Sequence, residues 1–289
     1  MVSPSLQSVD LTTWFAANGR DLPWRRTRDP WSIVVAEMML QQTQVARVIE
    51  RWYRFLDRFP TVAVCAAAPV GEVIDEWSGL GYNRRAVFLH RMAVAVTVEH
   101  GGRFPEDLKA LLALPGIGPY TARAVRAFAF EQPAAVLDTN VARILARTSG
   151  RTLGRREAQD AADDNLGDDP WTWNQAILDV GAGWCTASDP SCGTCPFCDT
   201  CAWAHAGRPE PDPARGSAGV SGKQSRFAGS DRQGRGKLAA ALRSGPVAVA
   251  ELATVMGWPA DPDRAARVAA TLVADGLAVR SDDRYHLPT

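Results

Sequence analysis

The chain has 289 residues, 46% of them apolar and 22% charged, with 32 basic and 32 acidic side chains. That composition excludes a disordered or fibrous chain and leaves room for two or three small domains around sizeable cores. No run of eighteen apolar residues occurs, which excludes a membrane-spanning helix, and a net charge of zero does not by itself announce a nucleic-acid partner. Residues 1–10 lack a basic segment followed by an apolar one, so no secretory signal is predicted and the expected location is the cytoplasm.

In chain order, Trp14-Phe15 followed by Asp21-Leu22-Pro23-Trp24-Arg25 predicts a short helix ending in a proline-punctuated loop. Asp29-Pro30 opens the next helix, because proline suits a first helical turn. That helix carries Ile33-Val34-Val35-Ala36-Glu37-Met38-Met39-Leu40, apolar on every face around one acid, the pattern of a fully buried helix. A carboxyl placed there loses hydration, which favours its protonated form. Two readings of Glu37 stay open: a core helix whose single charge reaches the surface, or a buried functional acid. Gln41, Gln42, Thr43 and Gln44 interrupt the run. Apolar residues at 45, 48, 49, 52, 55, 56 and 59 then give a helical period that Pro60 stops. Cys65, among alanines, reads as core. Further helices are predicted over 72–77, 84–100, 106–112, 120–130, 138–148, 157–166 and 173–181, with Gly79-Leu80-Gly81-Tyr82 and Gly101-Gly102 as breaks. No alternating strand pattern precedes residue 240, so the body is all-α.

Residues 207–235 are rich in Gly, Pro, Ser, Asp and Arg without a periodic apolar face, and read as a linker. Helices over 237–243, 249–256 and 265–274, with a hairpin of 276–280 and 284–287 around Asp282-Asp283, then resemble a winged-helix module. Such modules bind duplex DNA or serve as protein contacts, and both remain open.

Three motifs carry chemistry. Leu114-Pro115-Gly116-Ile117-Gly118-Pro119-Tyr120-Thr121-Ala122 lies between two predicted helices. Gly116 and Gly118 let the backbone approach a partner closely, and the N–H groups at the start of the following helix suit a phosphate. This is a helix-hairpin-helix pattern, which holds DNA backbone without reading sequence; the alternative is an ordinary tight connection between helices. About twenty residues on, Asp138 precedes an amphipathic helix with Val141, Ile144 and Leu145 on one face. It reads either as an N-cap alone or as a carboxylate kept ionised by a helix N-terminus, opposed in environment to Glu37. Two carboxyls so opposed are what acid-assisted glycosidic cleavage needs. Finally, Cys185, Cys192, Cys195 and Cys201 follow the spacing C-x6-C-x2-C-x5-C, with Cys198 as an extra. Four thiolates suit an iron–sulfur cluster or zinc, and the complete spacing favours a [4Fe-4S] cluster.

Together these motifs resemble the endonuclease III superfamily of DNA glycosylases. Leu22-Pro23-Trp24-Arg25, Glu37, Leu40-Gln41-Gln42-Thr43-Gln44 and Gly79-Leu80-Gly81-Tyr82 are similar to the adenine DNA glycosylase (MutY) branch, over about Trp14 to Trp203. The resemblance implies a two-domain helix-hairpin-helix glycosylase fold. Residues 1–28 and 136–206 would form an iron–sulfur cluster domain and 29–135 a six-helix barrel, followed by the linker and the module 236–289. It also implies that Glu37 protonates adenine at N7 and that Asp138 supports the sugar cation. Asn140 would order the water and the Asp138 carboxylate. Gln41 and Gln42 favour adenine as the base, and Gln42 and Tyr82 would wedge into the base stack while the target is flipped out. Trp24, Arg25 and Gln175 match positions lining the base pocket. Bifunctional lyases of the superfamily place a lysine where this chain has Tyr120, so hydrolysis by water is the expected chemistry. The implied partner is double-stranded DNA containing mismatches or 8-oxoguanine, met by a monomer at the nucleoid.

Many members of the branch add a Nudix-like domain that recognises 8-oxoguanine, and the tail here is too short and too helical to match one. Two other functions stay open: excision of thymine or uracil from mismatches with guanine, and a non-catalytic DNA-binding regulator. Retention of both Glu37 and Asp138 argues against the regulator.

Overall fold

The computed structural model describes Leu6 and residues 9–218 and 226–289. Residues 219–225 of the predicted linker lie outside these, as do 1–5, 7 and 8 of the stretch read for a secretory signal. The described chain is mostly helical: α1 Leu11–Asn18, α2 Pro30–Leu40, α3 Val45–Arg58, α4 Val62–Ala67, α5 Val70–Glu76, α6 Arg84–Glu99, α7 Leu108–Ala113, α8 Pro119–Phe128, α9 Thr139–Ser149, α10 Arg155–Asp164, α11 Pro170–Gly183, α12 Ala202–His205, α13 Asp231–Ser244, α14 Leu252–Met256 and α15 Pro262–Ala274. Strands β1 Val247–Ala248, β2 Val279–Ser281 and β3 Arg284–His286 form one small antiparallel sheet in the order β1-β3-β2. No helix among the described residues is long and apolar enough to cross a membrane.

The chain divides into two compact units. One comprises Met1–Ile33, Glu106–Leu112 and Ile117–Lys223; the other comprises Val34–Pro105, Ala113–Gly116 and Gln224–Thr289. In the first, Val141, Ile144 and Leu145 of α9 pack with Ala176, Ile177 and Val180 of α11 and with Leu11 of α1. Asp138 caps α9 and Asp169 caps α11, each accepting backbone N–H groups of the first turn. In the second, α4 and α5 pack on α6, and Phe55, Phe59 and Trp77 are wholly buried. Each such side chain contributes on the order of 2 kcal/mol by leaving water.

Several elements differ from the sequence reading. Helix α4 is new: Thr61 caps it and only Val62 and Cys65 turn inward, too few positions to show a period. Cys65 is core, as expected, and burial pushes its thiol up to about 12. Helix α13 begins at Asp231, inside the predicted linker, with Ser230 accepting from the Gln233 N–H. Its Gly234 lies flat against the Trp258 ring, where any side chain would collide, so a packing glycine read as a linker glycine. Residues 207–218 are also built into the fold. Buried Asp212 pairs with buried Arg147 at 2.7 Å, and the Ser217 hydroxyl accepts from the Leu153 N–H at 3.1 Å. Strand β1, two residues long, pairs Val247 with Tyr285 and Ala248 with Arg284; nothing so short carries an alternating pattern.

The C-terminal module packs on the helices of its own unit. Arg243 of α13 lies 3.7 Å from Asp75 of α5, and Arg84 of α6 lies 3.3 Å from Asp275. Gly71 of α5 sits so close to the Pro288 carbonyl that a Cβ there would approach it to 2.5 Å.

Candidate active site and cysteine loop

Helix α2 is buried on all sides, as the unbroken apolar run predicts. Val34, Val35, Ala36 and Met39 are fully inaccessible, and Glu37 is 5% exposed. Beyond Leu40 the chain turns sharply. Gln42 takes the left-handed φ of 56°, and Tyr82, in the Gly79–Tyr82 loop, takes 45°. A side chain held there costs about 1–3 kcal/mol of backbone strain, which persists only where the surroundings impose it.

Arg85 imposes it, and the sequence offered no sign of its role. Its buried guanidinium donates to the carbonyls of Met38 at 2.6 Å, Met39 at 3.0 Å and Gln41 at 2.7 Å. Its other nitrogen reaches the carbonyls of Leu80 at 3.2 Å and Gly81 at 3.0 Å and the Thr43 hydroxyl at 3.2 Å. One side chain thus closes the C-terminal end of α2 and ties the Gln42 turn to the Tyr82 loop. No carboxylate pairs with it among the described residues, and burial pushes its pKa down to about 10. Lysine has three donors on a single nitrogen and cannot reproduce this fork. Arg85→Lys is therefore expected to cost on the order of 3 kcal/mol through stranded carbonyls and to expose 40–44 and 78–83 to protease. Urea unfolding with limited proteolysis checks it, and a wild-type midpoint would contradict it.

Gln41, Gln42, Tyr82 and Gly116 line one groove of about 990 Å³. The hairpin glycines differ in their reasons. Gly116 has φ 78°, and a Cβ there would meet the Phe88 Cβ at 2.6 Å, so the protein itself requires glycine. A Cβ on Gly118 would meet nothing within 4 Å.

The other unit holds the remaining site residues. Asp138 Oδ1 accepts from the backbone of Asn140 and Val141 at 2.8 Å each, and Oδ2 accepts from the Asn140 amide at 2.9 Å. Asn140 is itself fixed: Arg143 donates to its oxygen at 2.7 Å and to the Gly181 carbonyl at 2.7 Å. A side chain on Gly181 would press into Asn140, with Cβ atoms 2.6 Å apart. Asn174, fully buried, holds the segment leading into Asp138 by accepting from the Val136 N–H at 2.8 Å. Tyr120, near the start of α8, packs on the cluster of Ile33, Phe128 and Val136.

The helix terminus does favour the Asp138 carboxylate, but burial outweighs the cap hydrogen bonds, and the pKa is raised above its ordinary 3.8. A carboxyl whose folded pKa is raised adds stability below the unfolded value and loses it as pH rises through the folded one. Asp138→Asn is expected to lower base release at least about 100-fold, since asparagine has a single oxygen for the two backbone N–H groups and turns its own amide toward that of Asn140. Single-turnover assays check this; base release at the wild-type rate would contradict it.

Trp24 and Arg25, in a 3-10 turn over Pro23–Arg26, are buried rather than displayed. Arg25 donates to Gln175 Oε1 at 2.7 Å and forks onto Asp179 at 2.8 and 2.7 Å. Burial pushes the Asp179 carboxyl up, but hydrogen bonds from Arg25 and Arg20 more than offset it and hold it below its ordinary value. Asp179 and Arg20 were missed in the sequence, since the two arginines lie about 150 residues from their acid. Glu37 belongs to one unit, and Asp138, Tyr120, Asn140, Trp24, Arg25 and Gln175 to the other.

Cys185, Cys192, Cys195, Cys198 and Cys201 line a single cavity with Ile144, Phe197 and Trp203, and no cysteine is in a disulfide. Burial pushes Cys195 up to about 12, and neighbouring Cys185, Cys201 and Cys192 add to it. Arg147 donates to the Cys185 sulfur at 3.4 Å and Arg143 to the Cys185 carbonyl at 2.6 Å. No three His, Cys, Asp or Glu among the described residues close on one metal-ion position. The donor set fits a cluster: four crowded thiols ionise together only where positive charge compensates them.

The hairpin between α7 and α8, the capped aspartate at the head of α9 and the cysteine-lined loop stand in the order that the resemblance to helix-hairpin-helix DNA glycosylases implies. The HhH-GPD superfamily of base excision DNA repair proteins matches residues 35–161. The adenine DNA glycosylase of Mycobacterium tuberculosis is 39% identical over 98% of this chain and 94% of its own length. That of Mycolicibacterium smegmatis is 40% identical over 96% and 94%. The chain belongs to the adenine DNA glycosylase family. Among solved structures, a thermostable thymine-DNA glycosylase superposes with a TM-score of 0.64 at 29% identity, covering 68% of this chain and 94% of that one. A trapped endonuclease III–DNA intermediate gives 0.60 at 22% identity, covering 69% and 94%, and shows the shared fold. The protein is a DNA glycosylase.

Proposed function

We propose that the chain flips adenine, mispaired with 8-oxoguanine or guanine, out of duplex DNA and hydrolyses its N-glycosidic bond. The observation that carries this reading is Glu37, an acid buried in the otherwise apolar run Ile33–Leu40 that leads straight into the strained Gln42 turn. Glu37 gives its proton to N7 of the base, and the C1′–N9 bonding pair leaves with adenine. Asp138 supports the cation left on the sugar, and water ordered by Asn140 adds to C1′ and gives up its proton to solvent. Tyr120 supplies no amine, so no Schiff base forms and the strand stays whole.

Gln42 and Tyr82 fill the space the flipped base vacates, and Gln41 lies beside them. Arg25 engages the Gln175 oxygen, which turns the Gln175 amide nitrogen into the donor offered to the base beside Trp24. The open face at Gly118 and the N–H groups of α8 take a phosphate. Cys185, Cys192, Cys195 and Cys201 hold a [4Fe-4S] cluster, which when bound supplies the positive charge that folds the loop. Residues 1–28 with 136–206 serve as the cluster domain and 29–135 as the barrel, in a cytoplasmic monomer working at the nucleoid.

A second reading, thymine or uracil opposite guanine, draws on the likeness to the thymine-DNA glycosylase. Product analysis tests the chemistry: free base appears while the labelled strand keeps its length until alkali treatment. A strand cut before alkali would sink the hydrolytic reading.

A further inference from the structure

The groove beside the wedge is walled on its other side by the C-terminal module. Six arginines line it, Arg47, Arg84, Arg85, Arg232, Arg235 and Arg243, against one lining acid, Asp275, and Arg243 also pairs with Asp75 outside the groove. The whole chain carries equal numbers of basic and acidic residues, so this concentration of charge is local. Asp275 is already engaged, 2.5 Å from Arg235 and 3.3 Å from Arg84. Arg232 lies 3.4 Å from the Tyr82 hydroxyl and stacks 5.3 Å over Phe227, which is 54% exposed.

The face that a winged-helix module ordinarily presents to duplex DNA is poorly suited here. Its third helix would be the reading helix, and that helix is α15. Arg264 and Arg267 on α15 are both bonded to Asp231, at 2.7 and 3.3 Å. The hairpin tip is Asp282-Asp283, which repels phosphate. On α13, Arg235 and Arg243 are paired with Asp275 and Asp75, and Arg232 lines the groove beside the Tyr82 hydroxyl.

We propose that the C-terminal module is the second wall of the DNA cleft, with Arg232 gripping a backbone phosphate and Phe227 stacking beside the wedge Tyr82. This rests on the DNA reading above. It makes the module a binding element of the same site, instead of an independent duplex reader. A cationic wall with one exposed aromatic ring is the combination that tracks a backbone and takes an unstacked base.

The test uses the full-length protein with its cluster and a fluorescent duplex bearing a tetrahydrofuran abasic analogue opposite 8-oxoguanine, titrated across a salt series. Arg232→Ala is expected to weaken binding about 5- to 10-fold and to reduce the salt slope by about one phosphate's worth. Arg232→Lys restores the slope. Phe227→Ala weakens binding about fivefold at unchanged slope. Arg267→Ala on α15 changes neither affinity nor slope. Wild-type affinity and slope in both Arg232→Ala and Arg232→Glu would overturn the proposal, as would Arg267→Ala matching Arg232→Ala. No base is released in this assay, so an error in the assigned base leaves the result readable, whereas a wild type with no duplex affinity would overturn both readings.

Discussion

Glu37→Gln is expected to bind duplex DNA as wild type does and to release adenine about 10²–10⁴-fold more slowly under single-turnover conditions. Glutamine keeps the volume and the hydrogen-bonding reach of the acid, so α2 should stay packed. What it lacks is a proton to give to N7. Because Val34, Val35, Ala36 and Met39 around Glu37 are fully buried, no solvated side chain on the same stretch can replace it. Single-turnover excision with parallel binding measurements separates the two effects. Retained excision would remove Glu37 from the chemistry, and lost binding would make it a structural residue.

Cys192→Ser is expected to lose the visible absorption of thiolate–iron bonds and to bring iron from about four per chain to near zero. Melting should fall with it, because Arg147, Asp212 and Trp203 are arranged around the same loop: Arg147 bonds Asp212 at 2.7 Å and stacks 4.6 Å over Trp203. Cys198→Ser is expected to keep its iron. Cys198 lines the cavity wall but falls outside the C-x6-C-x2-C-x5-C spacing. Zinc without iron in purified wild type would overturn the cluster assignment.

How much of this was legible in the sequence depends on the range of the interactions. Helix α2 was legible because eight consecutive residues carry its pattern, and burial on every side follows from having no polar face. Asp138 at the head of α9 was legible because an N-cap is local. The hairpin, the cysteine spacing and the Gln42 and Tyr82 loops were read from contiguous strings. Arg85, Asp179 and Gly181 were not, since each acts on chain distant in sequence: Arg85 on carbonyls of the α2 end, Asp179 on Arg20 and Arg25, Gly181 on Asn140. The burial that raises the pKa of Asp138 was not legible, because the helix terminus is visible in sequence and enclosure is not. Composition misread 207–218 and the first residues of α13, 231–235, as linker, because Asp212, Ser217 and Gly234 are there for buried contacts that only the fold supplies.

The central claim, adenine release by hydrolysis, is tested most directly by one single-turnover series on duplexes pairing A, T or U with 8-oxoguanine or guanine. Release of adenine from both A-containing duplexes, with T and U left in place, is the expected result. Release of thymine or uracil with adenine untouched would contradict it.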